Sequence, residues 1–558
     1  MYCNKENVNI LTALLVAHGI DHAVVCPGSR NAPIVHNLHE CPDIQCYPVT
    51  DERSAGFYAL GMAQALNKSV AVCVTSGTAL LNLAPAVAEA YYQHVPLVVI
   101  SADRPPQWID QLDGQTLPQP DALGRFVKKA VTLPEPHDEE ERWFCNRLVN
   151  EALIETHHHG YGPVHINVPI SEPLFDFNVK ELPEERTICL LNPRCYQGLL
   201  LDCVGQFCLS KKPMVVIGQI AVNDLLPDDL LSISACAVVL HESLSVGNGG
   251  THFDEILDAI GTESDYMPDF VLYLGDTMVS KRIKRFLRNL KDAHIWAVTE
   301  DGSLHDTSMN LYGIIEGHPA DVLNDLVDSA KMKVISGTSA FKERWSLALH
   351  KAADHARTYA PAYSQMTAVK NFEQRLTLLS SNPENEFFVH YANSSSVRLA
   401  NIYAQHYVYC NRGVNGIEGS LSTAAGFSCV TDEKVFCVIG DLSFFYDQNA
   451  LWNRNLRGNL RILLLNNGKG GIFNMLKGLE DSPIHNQYVA GEHTTSAEGI
   501  CRQNDVTYLR AGNIDEMQQG IDTLLLSIKS DRPVILEVFT EAQTDAQVIQ
   551  EYYSTLKH

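Results

Sequence analysis

Two polar turns, each closing an apolar run, hold the residues best suited to chemistry. Val435 to Ile439 reads as a buried strand ending in Gly440-Asp441, and Leu460 to Leu465 reads as a second strand ending in Asn466-Asn467. The segment between them, LSFFYDQNALWNRNLRGN, has room for a helix. Parallel α/β sheets bind ligands outside the carboxyl ends of their strands, and backbone N–H groups at a following helix start attract phosphate. Asp441 and Asn467 can therefore meet in one crevice. A carboxylate, an amide oxygen, a backbone carbonyl and two phosphate oxygens make the hard all-oxygen shell that Mg²⁺ prefers, and Mn²⁺ accepts the same donors. A turn without a ligand is the plainer alternative for a lone Gly-Asp, and two strand ends facing one crevice weigh against it.

The elements that must position this crevice recur. Shifting the sequence by 365 positions lays Val70–Val74 on Val435–Ile439, Leu97–Ile100 on Ile462–Leu465, His22–Val25 on Phe387–His390, and Gly61 on Gly426. Four strands at one ungapped offset predict two copies of one α/β unit, with the strands in register. The polar turns differ between the copies: CPGSR (26–30) meets YANSS (391–395), Thr75-Ser76 meets Gly440-Asp441, and Glu52 in DERSAGFYALGMA meets Ile417. One copy thus carries the anion and metal turn, and the other carries a carboxylate at the start of a small-residue helix. A poorly solvated carboxylate can hold or share a proton near neutrality. Taken alone, Glu52 is more simply a helix-start charge.

Between the copies, MVVIG (214–218), AVVLHE (237–242), FVLYLG (270–275) and IWAVTE (295–300) alternate with helical segments, which is a third parallel βαβ pattern. Lys180–Pro193 and the stretch near Ser336–Ser339 read as linkers, and Phe341–Arg357 reads as a helical connector. Three parallel-sheet α/β domains are expected, over 1–180, 194–336 and 358–558. The chain has 558 residues, enough for several domains. Its net charge of -24 argues against non-specific binding of nucleic acid or an anionic membrane surface. Fifteen cysteines are scattered without a C-x-x-C pair, no leader precedes Asn9, and no apolar run reaches the roughly 18 residues of a membrane helix. A cytoplasmic chain with reduced thiols and no membrane insertion is expected.

CPGSRNAP (26–33), TSGTALLNLAPAVAEA (75–90), ISADRPP (100–106), GPVHINVP (162–169), VSKR (279–282), NSSSVR (393–398), NRGVNGIEGSLSTAAG (411–426) and GDLSFFYDQNAL (440–451) span nearly the whole chain. In order and spacing they resemble the SEPHCHC synthase (MenD) family of thiamine-diphosphate enzymes. The resemblance implies the thiamine-diphosphate-binding fold, with a pyrimidine-binding first domain, a central domain and a diphosphate-binding last domain. It implies a transferase of menaquinone biosynthesis that decarboxylates 2-oxoglutarate on thiamine diphosphate. The resulting carbanion then adds to isochorismate, giving SEPHCHC and CO2.

The resemblance also implies residue roles. Glu52 hydrogen-bonds a ring nitrogen of the aminopyrimidine and promotes the tautomer that deprotonates the thiazolium carbon, while Ile417 props the cofactor in its bent shape. Thr78, Gly440, Leu442 and Ser443 complete the cofactor contacts, and Asp441, Asn467 and the backbone carbonyl of Lys469 hold the metal. Ser29, Arg30, Arg104, Gln115, Lys281, Arg282, Ser394, Arg398 and Arg412 line the substrate pocket, with Ile472 and Phe473 as its apolar wall. Glu52, Arg30, Ser394, Arg398 and Arg412 form the expected catalytic set. Both substrates are dicarboxylates, and arginine binds carboxylate bidentately, so local cations suit an otherwise acidic chain. Family members place the cofactor between two chains, which makes a homodimer the minimal unit and allows a homotetramer.

Some features depart from the family pattern. Leu442 stands where many members of the superfamily have Gly, DGQTLPQP around Gln115 differs from the usual wording, and KRIKRF (281–286) is also the pattern of a basic helix face. His157-His158-His159 cannot share one helix face and runs into GYGP, so it reads as a helix C-terminus. Two alternatives stand beside the family reading. A related thiamine-diphosphate 2-oxoacid decarboxylase or carboligase needs fewer arginines. A silent ligand-binding homologue does not need Glu52, Asp441 and Asn467 intact.

Overall fold

The computed structural model describes residues 1–188, 201–222, 224–247, 249–260, 263–303, 305–331, 339–380, 385–475, 482–526 and 530–556. The ends of both expected linkers, residues 189–193 and 336–338, lie outside them. Among the described residues, the strands form three sheets. The first contains β1 (His22–Val25), β2 (Gln45–Pro48), β3 (Val70–Val74), β4 (Leu97–Asp103), β5 (Lys129–Thr132) and β6 (Val164–Pro169), in the order β2-β1-β3-β4-β6-β5. The second contains β7 (Pro213–Ile217), β8 (Val238–His241), β9 (Phe270–Leu274), β10 (His294–Thr299) and β11 (Leu311–Glu316), in the order β11-β10-β9-β7-β8. The third contains β12 (Phe387–Tyr391), β13 (Lys434–Gly440), β14 (Leu460–Asn466), β15 (Thr507–Ala511) and β16 (Val534–Phe539), in the order β12-β13-β14-β16-β15. Every named pairing is parallel.

The repeat is visible in the topology. Without β2, the first sheet runs β1-β3-β4-β6-β5, and the third repeats that order as β12-β13-β14-β16-β15. The pairing register differs from the expected match, however. Val70 pairs with Leu97, whereas Val435 pairs with Leu460, two residues short of Ile462. A slip of two residues keeps the same side chains on the same face, so the ladder can slide without exposing the core. The inner strands β3, β4, β6 and β14 are buried at every position, as parallel strands covered on both faces must be.

The helix Glu52–Leu66 joins the first sheet to the third by packing on the helix Ser420–Cys429. Both are rich in small residues, so their backbones approach closely. A Cβ added to Gly61 would stand 2.0 Å from the Thr423 carbonyl oxygen, and one on Gly426 would stand 2.3 Å from the Tyr58 carbonyl oxygen. Thr423 lies 365 residues after Tyr58, just as Gly426 follows Gly61, so the crossing is pseudo-symmetric. Tyr58 and Phe427 are buried beside it, and the Tyr58 hydroxyl donates to the Ala450 carbonyl at 2.8 Å. The helix Ser339–Thr358 covers the expected connector and seats Trp345, fully buried, against the second sheet's layer. Replacing Gly61 or Gly426 by Ala should cost about 1 to 3 kcal/mol through overpacking. Gly205, where a Cβ meets nothing within 4 Å, is the control, and its Ala variant should not lower the thermal midpoint.

Candidate active site

β13 and β14 pair side by side, with Gly440 opposite Leu465, so their carboxyl ends bring Asp441 beside Asn467. Asp441 is 4% exposed. Its Oδ1 accepts the Leu442 N–H at 2.7 Å, and its Oδ2 accepts the Asn467 and Gly468 N–H groups at 3.0 and 2.8 Å. Asn467 donates Nδ2 to Asp545 at 2.9 Å, which fixes the amide and leaves its oxygen on the far side from that carboxylate. The Asn467 Oδ1 accepts the Lys469 N–H at 3.3 Å. The Lys469 side chain turns to Asn486 Oδ1 at 3.3 Å, leaving its backbone carbonyl as the atom able to serve a metal. This set of carboxylate, amide and carbonyl oxygens fits a hard divalent cation. Ser443 donates its hydroxyl to the Ile417 carbonyl, tying the loop of Ile417 to the helix Asp441–Tyr446 that starts at the Asp441 turn. Ile472 and Phe473, half-buried, follow Gly471 in a short 3-10 turn.

The Glu52 group lies at the carboxyl ends of β1, β3 and β4. Asp51, rather than Glu52, caps the helix: its Oδ1 accepts the N–H groups of Arg53 and Ser54 at 2.9 and 3.3 Å. Glu52 is thereby released from capping and accepts Asn82 Nδ2 at 3.2 Å. Burial pushes the Cys26 thiol well up, and the Glu52 charge adds to that shift. Thr78 is exposed, as are Leu81 (44%) on the same short helix, Tyr446 (52%) and Ile417 (41%). Arg30 is buried and donates to the Ile170 carbonyl at 2.9 Å and Glu172 at 3.3 Å. Burial lowers its pKa, with Arg104 the second cause. Arg104 pairs with Asp113 at 2.9 Å and donates to the Gly114 carbonyl at 3.1 Å. Ser29 is exposed, and Gln115, at φ +56, packs its backbone over Gly77.

A second group of cations forms where the second sheet meets the third. Ser394, at φ +74, starts the helix Ser395–Tyr403 that carries Arg398. Arg412 donates to Asn393 Oδ1 at 3.0 Å, and its buried Nε has no hydrogen-bond partner among the described residues. Burial lowers the Arg398 pKa, and the nearby Arg412 charge acts the same way against Asp254. Lys284 is lowered by burial and then by Arg412. Glu242, 2% exposed, feels the same charges and accepts the N–H groups of Val279 and Ser280, each at 2.7 Å. Those amides precede the helix Lys281–Arg288, so a carboxylate sits where the helix dipole favours one. Neither Lys284 nor Glu242 stands out in the sequence; the one signal is that Lys281 and Lys284 share a helix face at i, i+3. Arg282 is held elsewhere, by Asp254 at 2.6 Å and Asp258 at 3.1 Å under the Tyr553 ring, and Lys281 is exposed.

Among the described residues, no hydrogen bond or ion pair joins the Glu52 group directly to Asp441 or to Arg398. The link is Glu89, 3% exposed, which accepts the N–H groups of Gly413 and Val414 at 2.8 and 2.9 Å and so fixes the loop carrying Arg412 and Ile417. The histidine triplet follows the helix Glu139–Glu155, as expected of a helix end. Its members go separate ways, to Ser69, Glu155 and Glu316. No group of three or more His, Cys, Asp or Glu with metal-binding geometry occurs among the described residues.

Comparison with known proteins bears on the same regions. Residues 6–123 match the family described as thiamine pyrophosphate enzyme, N-terminal TPP binding domain, and residues 393–538 match the C-terminal TPP binding domain. A protein of Bacteroides thetaiotaomicron named 2-succinyl-5-enolpyruvyl-6-hydroxy-3-cyclohexene-1-carboxylate synthase is 43% identical over 100% of both chains. Proteins with the same name from Phocaeicola vulgatus and Porphyromonas gingivalis are 41% and 34% identical, covering 100% and 99% of this chain and 100% and 97% of their own.

Burial pushes the Glu242 carboxyl up to about 7, against the pull of the Val279 and Ser280 amides. An acid raised on folding stabilises the fold while protonated. Its contribution is complete below its unfolded value of 4.5 and is lost as pH rises through about 7. Glu242→Gln should therefore flatten the fall in stability across that window by up to about 3 kcal/mol, as read from denaturation midpoints at several pH values.

Proposed function

The chain belongs to the 2-succinyl-5-enolpyruvyl-6-hydroxy-3-cyclohexene-1-carboxylate synthase family, and from that premise we propose that it joins the four-carbon unit of 2-oxoglutarate to isochorismate with loss of carbon dioxide. It acts as a thiamine-diphosphate-dependent transferase of menaquinone biosynthesis. The observation that carries this reading is the end-to-end likeness to relatives of that name, at 43% identity over the whole of both chains. On this reading the first domain, 1–180, is pyrimidine-binding, the second, 194–336, is central, and the third, 358–558, is diphosphate-binding. The free thiols of the described cysteines suit a reducing cytoplasm.

When bound, thiamine diphosphate supplies the electron sink that a 2-oxoacid needs to lose carbon dioxide. Everything else falls to the chain. Asp441, Asn467 and the Lys469 carbonyl hold Mg²⁺ or Mn²⁺ by oxygen alone, and the start of the helix at Gly440, Leu442 and Ser443 receives the diphosphate. Thr78 and Ile417 support the pyrimidine end, where Glu52 holds a proton at a ring nitrogen. Arg30, Arg104, Arg398 and Arg412, with Ser29, Gln115 and Ser394, bind and orient the carboxylates of ketoacid and acceptor. Lys281 adds charge at the rim. Arg282 is committed to Asp254 and Asp258, so Lys284 is the better candidate on that helix. Ile472 and Phe473 keep water from the reacting carbon.

Glu52 accepts from Asn82, the residue after exposed Leu81 (44%), and the neighbouring Arg53 guanidinium lies over exposed Tyr446 (52%). Exposed apolar surface beside a polar site supports a second copy of the chain completing it. Sedimentation should give a dimer or a tetramer, and a monomer with full turnover would sink this arrangement. With 2-oxoglutarate, isochorismate, thiamine diphosphate and Mg²⁺ together, one carbon dioxide should appear per isochorismate consumed, and pyruvate should not replace the ketoacid. Glu52→Gln should lower carbon dioxide release by at least about 10²-fold while calorimetry still detects thiamine diphosphate binding. Unchanged turnover would remove Glu52 from the mechanism.

A further inference from the structure

The turn after β14, residues 466–469, is braced by β16, by the helix Ala542–Leu556 that follows it, and by the loop of His493. Thr540 N–H donates to the Asn466 carbonyl at 3.0 Å, and Asn466 Nδ2 donates to Glu537 Oε1 at 2.8 Å. His493 N–H donates to the Gly468 carbonyl at 2.8 Å, and its imidazole Nε2 stands 3.5 Å from Asp441 Oδ2. These contacts fix the backbone of the turn. They leave open which end of the Asn467 amide faces the Asp441 crevice, and only the oxygen can ligate a cation.

Asp545 makes that choice. It lies in the first turn of the helix Ala542–Leu556 and is 6% exposed, whereas Asn467 is half-buried. Its Oδ2 accepts Asn467 Nδ2 and the Thr540 hydroxyl, each at 2.9 Å, and its Oδ1 accepts the Gln365 N–H at 2.8 Å. A carboxylate has only lone pairs to offer, so the amide must turn its NH₂ to Asp545 and its oxygen the other way. Gly471 crowds the nitrogen edge: a Cβ there would stand 2.8 Å from Asn467 Nδ2 and 4.0 Å from Oδ1. Among the described residues, the hydrogen bond to Oδ1 comes from the Lys469 N–H at 3.3 Å, longer than a normal one. The helix carrying Asp545 is also held at its other end. The Tyr552 and Tyr553 hydroxyls donate to Glu255 and Asp254, each at 2.9 Å, on the helix Phe253–Ile260. Asp545 is therefore a fixed acceptor to which the amide adjusts.

We propose that Asp545 is a positioning residue: by accepting the Asn467 amide it presents Asn467 Oδ1 to the divalent cation that binds with thiamine diphosphate. This rests on the thiamine-diphosphate reading above and adds a residue that the sequence motifs do not contain. Contacts that orient a metal ligand in this way are worth about 10- to 100-fold in metal affinity.

Mn²⁺ binding at saturating thiamine diphosphate, followed by electron paramagnetic resonance, reads the contact without reference to turnover. Asp545→Asn leaves one carbonyl oxygen for three donors, so Asn467 loses its fixed acceptor and Mn²⁺ should bind about tenfold or more weakly. The same substitution in an Asn467→Asp background should not weaken Mn²⁺ binding, because a carboxylate presents oxygen at either end and the introduced amide donates to it. If Asp545→Asn does not fold, Asp545→Ala carries both expectations. Unchanged Mn²⁺ affinity in the single variant would overturn the assignment. A loss of equal size in both backgrounds would overturn it too, because Asp545 would then act through its charge or through Gln365. Wild-type protein that binds no Mn²⁺ with thiamine diphosphate present would instead overturn the cofactor reading beneath it.

Discussion

The close crossing of the helices Glu52–Leu66 and Ser420–Cys429 is the constraint on which the rest of the arrangement depends. Two helices approach until backbone meets backbone, Gly61 on the Thr423 carbonyl and Gly426 on the Tyr58 carbonyl. Larger residues would force the helices apart and open the core that runs from the first sheet to the third. The crossing also positions two of the proposed site residues. Glu52 begins one helix and Ile417 lies just before the other, so the two residues that differ most in chemistry occupy equivalent places in one pseudo-symmetric unit.

Buried carboxylates hold the remaining joints. Glu89 fixes the Arg412 loop to the first sheet's layer, Asp447 accepts the Ser422 amide and hydroxyl at the start of the second crossing helix, and Glu242 accepts the two amides before the helix Lys281–Arg288. Each captures backbone N–H groups from another segment, which offsets part of the cost of burying a charge. Burial pushes both Glu242 and Asp447 up to about 7, and it raises Glu89 as well. Part of the chain's acidity is thus internal, where it fixes loops and helix starts.

The inner strands were legible because strands covered on both faces must be continuous apolar runs, and such runs stand out in any sequence. Three of the edge strands were not, although the edges β8 and β12 were. β2, β11 and β15 bury only part of their length, and QCYP, LYGIIE and TYLRA look like ordinary loop-flanking segments. The site divided in the same way. Asp441 and Asn467 were legible because each follows an apolar strand, and Glu52 because it opens a small-residue helix. His493 comes from a polar loop with no period, and Glu242 from a turn after β8, so nothing local marks either one.

By itself the sequence determined the three α/β units, the duplication and the two polar turns that are proposed to hold a diphosphate and a metal, because periodicity and short motifs are written in consecutive residues. Only the tertiary structure decided the partners. It gave Arg282 to Asp254 and Asp258, gathered Arg398, Arg412 and Lys284 around Glu242, and set the His493 imidazole 3.5 Å from the Asp441 carboxylate. Those choices depend on distances between residues far apart in the chain. Charge neutralisation and hydrogen bonding settle them only after the sheets have packed, which no local pattern encodes.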